Sequence, residues 1–184
     1  MKKWISFLIL ICCLTGIAVA DEAHWDLKGV KLGMTEAEVR DLFQGTEHDV
    51  DCFSPSELPG LRLCSVSNLT FADGPIESFR LILNEEKVMT ITVNLKESRF
   101  LMVAEAIKTK YGTPASLKNK QVQNRMGAVF NNHVIVWSEG DMRLIATQRG
   151  QNIDTSTIDL SSKAAIKDRF EKHKLKAKSA ASDL

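Results

Sequence analysis

The histidines are the first residues to test for chemistry, because imidazole binds metal ions and transfers protons near neutral pH. The four histidines include no pair with the i, i+4 spacing of a helical zinc site, and none lies in an H-E-x-x-H motif. His48, Asp49 and Asp51 could contact a divalent cation from a loop. Dedicated calcium loops carry a denser set of oxygen ligands, so we expect no metal site.

The sequence also lacks the motifs of the commonest enzyme classes. It contains no G-x-S-x-G elbow, no P-loop and no G-x-G-x-x-G fingerprint. Glu85 and Glu86 are adjacent carboxylates in a predicted turn, where such groups are ordinarily solvated charges rather than an acid/base pair. We therefore expect no catalytic residue and no cofactor, and a small hydrolase without a recognisable motif stays an alternative.

One predicted strand, residues 133–137, is apolar on both faces. Alternate side chains of a strand point to opposite sides, so Val134 and Val136 would lie on one face and Ile135 and Trp137 on the other. Such a strand is either covered twice in the core, the alternative we favour, or presents one face to a partner, since aromatic residues dominate both cores and interfaces. The candidate binding surface comprises His133, Ile135, Trp137, Arg143 and Arg80.

Two cysteines bracket a loop that contains proline and glycine. Cys52 and Cys64 lack the C-x-x-C spacing of redox and metal pairs. An even pair in an exported chain is typical of a disulfide, and closing a loop of this size removes about 3 kcal/mol of unfolded-chain entropy in the chain-entropy model. We predict a Cys52–Cys64 bridge that staples a segment without regular structure.

The N-terminus has the three parts of a secretory signal peptide. Lys2 and Lys3 precede an apolar run over residues 4–14, and an A-x-A sequence follows at 18–20. The run is short for a membrane anchor, and Ile11 is large for the position before a lipidated Cys12. We predict cleavage after Ala20 and a periplasmic or secreted protein.

The C-terminal end of the chain is more basic than the rest of it. Without the signal peptide the chain has 22 basic and 23 acidic residues, a balance that argues against a nucleic-acid partner. Residues 163–184 carry seven basic and three acidic residues. This basic tail is expected to be a solvated C-terminal helix, and weak contact with anionic lipid or with an acidic face of another protein is the alternative.

Two amphipathic helices position the remaining segments. In the first, Thr35 and Glu38 have the spacing of a capping box, Val39 begins an apolar stripe, and Gly45 ends the helix. The second runs from Ser98 to a stop at Gly112 and Pro114, with an apolar stripe formed by Phe100, Val103, Ala104, Ile107 and Tyr111.

Period-two segments follow each helix. They cover residues 65–72, 76–83 and 88–95 after the first helix, and 126–130, 133–137, 142–148 and 153–160 after the second. We therefore predict an α+β fold with helices packed on one face of an antiparallel sheet, in two tandem units of one helix and three or four strands. The predicted segments are 1–20 (signal peptide), 21–97 (first unit with the disulfide loop), 98–162 (second unit) and 163–184 (basic helical tail).

The helix motifs resemble those of known envelope proteins. Gly33-Met34-Thr35, followed by Glu38-Val39 and a helix ending in Phe-x-Gly, resembles the helix of BamE/SmpA-like lipoproteins and of β-lactamase-inhibitor-protein-like domains. Residues 106–114 are similar to the closing half of the same pattern. The resemblance implies helices on an antiparallel sheet and a role in binding other proteins in the envelope or outside the cell.

Together these features favour binding over catalysis. We expect an exported, non-enzymatic protein whose sheet face or edge strand binds another envelope protein or peptide, in envelope assembly or as a scaffold. An immunity or inhibitor protein is the alternative within the binding class.

Overall fold

The computed structural model describes residues 25–56, 60–165, 167 and 171. The predicted signal peptide and most of the predicted basic tail lie outside these residues. Of the described residues, 48% are in strands and 20% in helices. Strands therefore dominate this part of the chain.

The chain begins with a small hairpin and the first helix: β1 Asp26–Leu27, β2 Val30–Lys31 and α1 Glu36–Phe43. Four strands follow: β3 Val50–Phe53, β4 Leu61–Val66, β5 Ser78–Asn84 and β6 Lys87–Lys96. A short 3-10 turn, Glu97–Arg99, leads into α2 Phe100–Tyr111. The last strands are β7 Ser116–Gln123, β8 Val129–Glu139, β9 Met142–Thr147 and β10 Thr155–Ser162.

Eight of the strands form one antiparallel sheet in the order β3-β4-β5-β6-β10-β9-β8-β7, and β1 pairs with β2 separately. The two halves of the chain meet where β6 pairs with β10, in a register from Thr155 opposite Lys96 to Ser161 opposite Thr90. The sheet is consequently continuous from the first half of the chain to the second.

The predicted α+β fold of two tandem helix-plus-meander units is wrong. Hydrogen bonds between β6 and β10 merge the two sets of strands into a single sheet, so neither set closes into a unit of its own. Strand β7 was not predicted, because its side chains are mostly exposed on both faces and show no apolar alternation. The predicted boundary between residues 97 and 98 falls in the 3-10 turn that connects β6 to α2.

One face of the sheet carries two rows of apolar side chains that run across five strands. Each row consists of side chains that lie directly opposite one another on neighbouring strands, so a buried residue on one strand has a buried neighbour on the next. The first row is Phe79, Val93, Ile158, Ala146 and Ile135, and the second is Leu81, Ile91, Leu160, Leu144 and Trp137. All ten residues belong to one buried cluster.

Both helices contribute to that same cluster. Val39 and Phe43 of α1 are buried in it, and so are Phe100, Val103, Ala104 and Ile107 of α2. The predicted capping box is confirmed: the Thr35 amide donates to Glu38 Oε2 at 2.7 Å, and the Glu38 amide donates to Thr35 Oγ1 at 3.3 Å. No helix in the described part of the chain is long and apolar enough to cross a membrane.

The predicted disulfide between Cys52 and Cys64 is confirmed. The loop interpretation around it is wrong, because Cys52 lies in β3 and Cys64 lies directly opposite in β4. Pro55 and Gly60 lie in the connection between these two strands, of which residues 57–59 are outside the described part of the chain. The bridge therefore joins the outermost strand of the sheet to its neighbour.

Replacing both cysteines, as Cys52→Ser with Cys64→Ser, is expected to lower the free energy of unfolding by about 3 kcal/mol, because the unfolded chain regains the entropy of an open loop. Urea denaturation of the oxidised protein and of the double variant measures this difference. Wild-type protein treated with a reductant is the matched control and should show the same loss. Equal stability of oxidised and reduced protein would contradict the expectation.

Candidate functional site

Two residues of the predicted binding surface lie in the core. Trp137 is only 2% exposed, and its indole Nε1–H donates to the carbonyl oxygen of Gly112 at 2.8 Å. Gly112 ends α2 with a φ of +80°, a conformation that glycine adopts without strain. Ile135, two residues before Trp137 on β8, is buried on the same face. Trp137 therefore joins β8 to the end of α2, and Ile135 belongs to the same buried cluster.

Two of the other three predicted residues, Arg143 and Arg80, lie on the opposite face of the sheet. Arg143 lies opposite Ser138 and Ser161, while its neighbour Leu144 lies opposite Trp137. Arg143 therefore points to the face away from the core. Arg80, which follows the buried Phe79, points to that same face from β5.

His133 is half-buried on β8, on the face of Ile135 and Trp137. The five predicted residues are thus divided between two faces of the sheet by the alternation of side chains. A binding role for Arg80, Arg143 and His133 stays a prediction.

Sequence reasoning missed strand β7, which forms one edge of the eight-stranded sheet. In the part of the chain that the structure describes, β7 pairs with β8 on one side and with no strand on the other. Its side chains are exposed except at Ser116 and Val122, which are half-buried. The sequence signal that could have found it is weak: a run without helical periodicity that follows the helix stop at Gly112 and Pro114.

The direction of the β7 backbone groups follows from the ladder on the far side of β8. The His133 carbonyl oxygen accepts from the Gln148 amide at 2.9 Å, so the backbone of His133 faces away from β7. Backbone groups alternate along an antiparallel strand. The residues that bond β8 are therefore Ser116, Lys118, Lys120 and Val122, and the amides and carbonyls of Leu117, Asn119 and Gln121 face outward.

The β7–β8 hairpin extends beyond the rest of the sheet as an arm. Only residues 134–139 of β8 pair with β9, whereas the whole of β7 pairs with β8. At the tip, the Asn124 side chain accepts from the amides of Met126 and Ala128 at 3.0 and 2.9 Å, and Met126 is 93% exposed. Hydrogen bonds thus close the turn at the tip of the arm, while the outer edge of β7 has no neighbouring strand in the described part of the chain.

Arg149 holds the base of this arm in place. Its guanidinium lies 4.9 Å from the ring centroid of Phe130 and 3.3 Å from a carboxylate oxygen of Glu97. It also donates to the carbonyl oxygens of Asn131 and Ile153 at 3.1 and 2.6 Å. A cavity of about 680 Å³ lies between the arm tip and the loop that follows β9.

The edge and the arm carry positive charge. Residues 112–138 contain Lys118, Lys120 and Arg125 but no aspartate or glutamate. Among the described residues, Lys118 and Lys120 form no ion pair. Both lysines are exposed on β7. The open edge is therefore also a basic edge.

A polar cluster lies between α1 and the β3–β4 hairpin, beside a groove of about 720 Å³. The Glu36 carboxylate accepts from Arg40 at 2.8 Å and from Arg62, and Arg40 also donates to the Val50 carbonyl oxygen at 2.7 Å. The hydrogen bond from Arg62 is the main cause that lowers the pKa of Glu36; partial burial opposes it and Arg40 assists it. These contacts brace α1 against the edge of the sheet.

The same carboxylate lies close to the disulfide. Oxygen and sulfur atoms of Glu36, Cys52 and Cys64 all fall within 4.8 Å of one another. Both sulfurs are bonded to each other, so neither is a thiolate that could ligate a metal ion. The cluster is accordingly a structural contact in the oxidised protein.

Another polar cluster ties the β1–β2 hairpin to α2. Lys110 Nζ donates to Asp26 Oδ2 at 2.9 Å, and the Tyr111 hydroxyl donates to the Asp26 carbonyl oxygen. Burial on its own would raise the pKa of Asp26, but the hydrogen bonds from Lys110 and the Gly29 amide outweigh it and lower the pKa. Burial is the main cause that raises the pKa of Tyr111.

Comparison with known proteins adds no assignment: no family model, curated protein or solved structure matches this chain. The resemblance of the two helix motifs to BamE/SmpA-like and β-lactamase-inhibitor-protein-like proteins therefore stays a prediction.

The Trp137→Ala substitution is expected to lower the free energy of unfolding by about 3–5 kcal/mol, because it leaves a cavity in the core and an unpaired Gly112 carbonyl oxygen. Phe53→Ala is the matched control: Phe53 is 57% exposed on β3, so its loss should change stability by less than about 0.5 kcal/mol. Chemical denaturation followed by circular dichroism measures both. A Trp137→Ala protein as stable as wild type would place the indole outside the core.

The Glu36→Gln substitution is expected to destabilise the protein in a pH-dependent way. Because the pKa of Glu36 is lowered on folding, its charge stabilises the protein above its unfolded pKa of about 4.5, and this stabilisation is lost as the pH falls through the folded pKa. The difference from wild type should be about 1 kcal/mol or less at pH 7 and should shrink below pH 4.5. Urea unfolding from pH 7 to pH 3 measures it, and a difference that is constant with pH would contradict the assignment.

Proposed function

We propose that this chain is an exported, non-enzymatic protein that binds another envelope protein or peptide, in envelope assembly or as a scaffold. The observation that carries the proposal is the open edge of β7. Unpaired edge strands are templates for strand addition, in which a partner supplies the missing hydrogen bonds. Strand β7 spans Ser116–Gln123 and is uncovered in the described part of the chain.

The opposite edge of the sheet supports this proposal by contrast. Strand β3 has only four residues, and the disulfide ties it to β4. The carbonyl oxygen of Val50 already accepts from Arg40. Short length and side-chain cover are the usual means of blunting an edge. Strand β3 is thus protected by its short length and by the Arg40 contact, whereas β7 is twice as long and, in the described part of the chain, is protected by its exposed lysines alone.

The disulfide supports the export part of the proposal. Disulfides persist in oxidising compartments such as the periplasm and the extracellular space. A Cys52–Cys64 bridge is therefore consistent with the signal-peptide pattern at residues 1–20. We propose a periplasmic or secreted location on these two grounds.

Site-specific photocrosslinking in the native host tests the proposal. A photoreactive amino acid placed at Asn119 or Gln121 of β7 should form covalent adducts with a defined partner, whereas the same group at Asp51 of the blunted β3 edge should form none. The partner identified by mass spectrometry should bind the purified protein. Adducts that are absent from β7, or equally abundant from β3, would contradict the proposal.

A further inference from the structure

We infer that the β7 edge binds an extended acidic segment of its partner, which adds to the sheet as a ninth strand with carboxylates at alternate positions. The inference rests on the proposed protein-binding function and specifies the chemistry of the partner. It is carried by three features of β7: its outward backbone groups, its two lysines and the exposed Leu117.

The backbone of β7 is arranged to accept a further strand. Amides and carbonyls of Leu117, Asn119 and Gln121 face outward, at the alternating positions that an antiparallel neighbour uses. The neighbour would lie about 4.8 Å away. None of these backbone groups has a partner in the described part of the chain. A bound strand would satisfy them in register.

The two lysines set the charge of that strand. Lys118 and Lys120 bond β8 through their backbones, so toward an added strand they occupy the non-hydrogen-bonded positions. Side chains at such positions approach most closely, with Cα atoms about 4.5 Å apart. Residues directly opposite these lysines would be two apart in the partner and on the same face. Carboxylates at those two positions would pair with both ammonium groups.

The other face of the strand adds an apolar requirement. Leu117 lies opposite the buried Ile135 but is itself 58% exposed, so it ends the row of apolar side chains that crosses the sheet. An apolar partner residue opposite Leu117 would lengthen this row by one strand and cover the leucine. From the N-terminal to the C-terminal end of an antiparallel partner strand, the expected residue pattern is acidic, any residue, acidic, apolar.

The same charges disfavour the alternative occupants available from this chain. An antiparallel pair of two β7 strands centred on Asn119 would place Lys118 of one copy opposite Lys120 of the other, and like charges directly opposite are destabilising. The C-terminal segment 163–184 is also basic, with seven basic and three acidic residues. An acidic segment of another protein fits the edge better than either.

Labelled peptides test the inference on the purified protein. A fluorescein-labelled ten-residue peptide of alternating valine and glutamate is the probe, and the same peptide with glutamine or lysine in place of glutamate is the matched control. Fluorescence anisotropy should show the glutamate peptide binding at least tenfold more tightly than the glutamine peptide. Hydrogen exchange should slow at the amides of Leu117, Asn119 and Gln121 when it binds.

Two sets of variants separate the strand geometry from the charge. Asn119→Pro removes an outward amide but no hydrogen bond to β8, and an edge strand tolerates proline at such a position. Because the partner strand loses a hydrogen-bond donor, the substitution should abolish peptide binding. Lys118→Glu with Lys120→Glu should abolish binding of the glutamate peptide and permit binding of the lysine peptide. Lys31→Glu with Lys96→Glu changes the net charge by the same amount on other exposed lysines and should leave binding unchanged. Thermal melts check that every variant is folded.

Three results would overturn the acidic chemistry of the partner. These are equal affinity for the glutamate and glutamine peptides, unchanged binding after charge reversal at Lys118 and Lys120, and an equal loss from the Lys31 and Lys96 pair. Retained peptide binding by a folded Asn119→Pro variant would overturn the strand addition. Crosslinking from Asn119 to a partner that lacks an acidic segment would leave the proposed binding function intact and reject only the acidic chemistry, so the two failures are distinguishable.

Discussion

Pairing between β6 and β10 is the interaction on which the rest of the structure depends. It brings residues 90–96 against residues 155–161, which are far apart in the chain. Apolar residues are directly opposed across this seam, Ile91 against Leu160 and Val93 against Ile158, and all four are fully buried. Burial of this kind supplies the main driving force of folding. Without this seam the two apolar rows would stop at the centre of the sheet.

An open sheet built in this way has two edges, and the chain treats them differently. At one edge, the disulfide between Cys52 and Cys64 and the hydrogen bond from Arg40 hold a four-residue strand in place. At the other edge, β7 carries exposed lysines and outward backbone groups on a hairpin that extends past β9. The difference between the edges, rather than any cluster of reactive side chains, supports the proposal of a binding protein.

Several charged side chains serve as internal braces. Glu36 links α1 to the β3–β4 hairpin, and Asp26 links the N-terminal hairpin to α2. Arg99 donates to the carbonyl oxygens of Phe71, Ala72 and Pro75 and so holds the loop before β5. Charges satisfied within the chain have less to offer a ligand. Lys118 and Lys120 differ from them because they are exposed and form no ion pair among the described residues.

The sequence by itself determined the local features of this protein, because these depend on residues close together in the chain. The capping box of Thr35 and Glu38, the helix stop at Gly112 and the bridge between Cys52 and Cys64 were all predicted correctly. Only the tertiary structure decided which strands are neighbours. Period-two alternation shows which side chains of one strand share a face, but it does not show which strand lies beside that strand. The single sheet, the placement of Trp137 and Arg143 on opposite faces and the open edge of β7 could therefore not be predicted from it. Strand pairing depends on contacts between distant residues, and an edge strand exposed on both faces leaves no apolar pattern in its sequence.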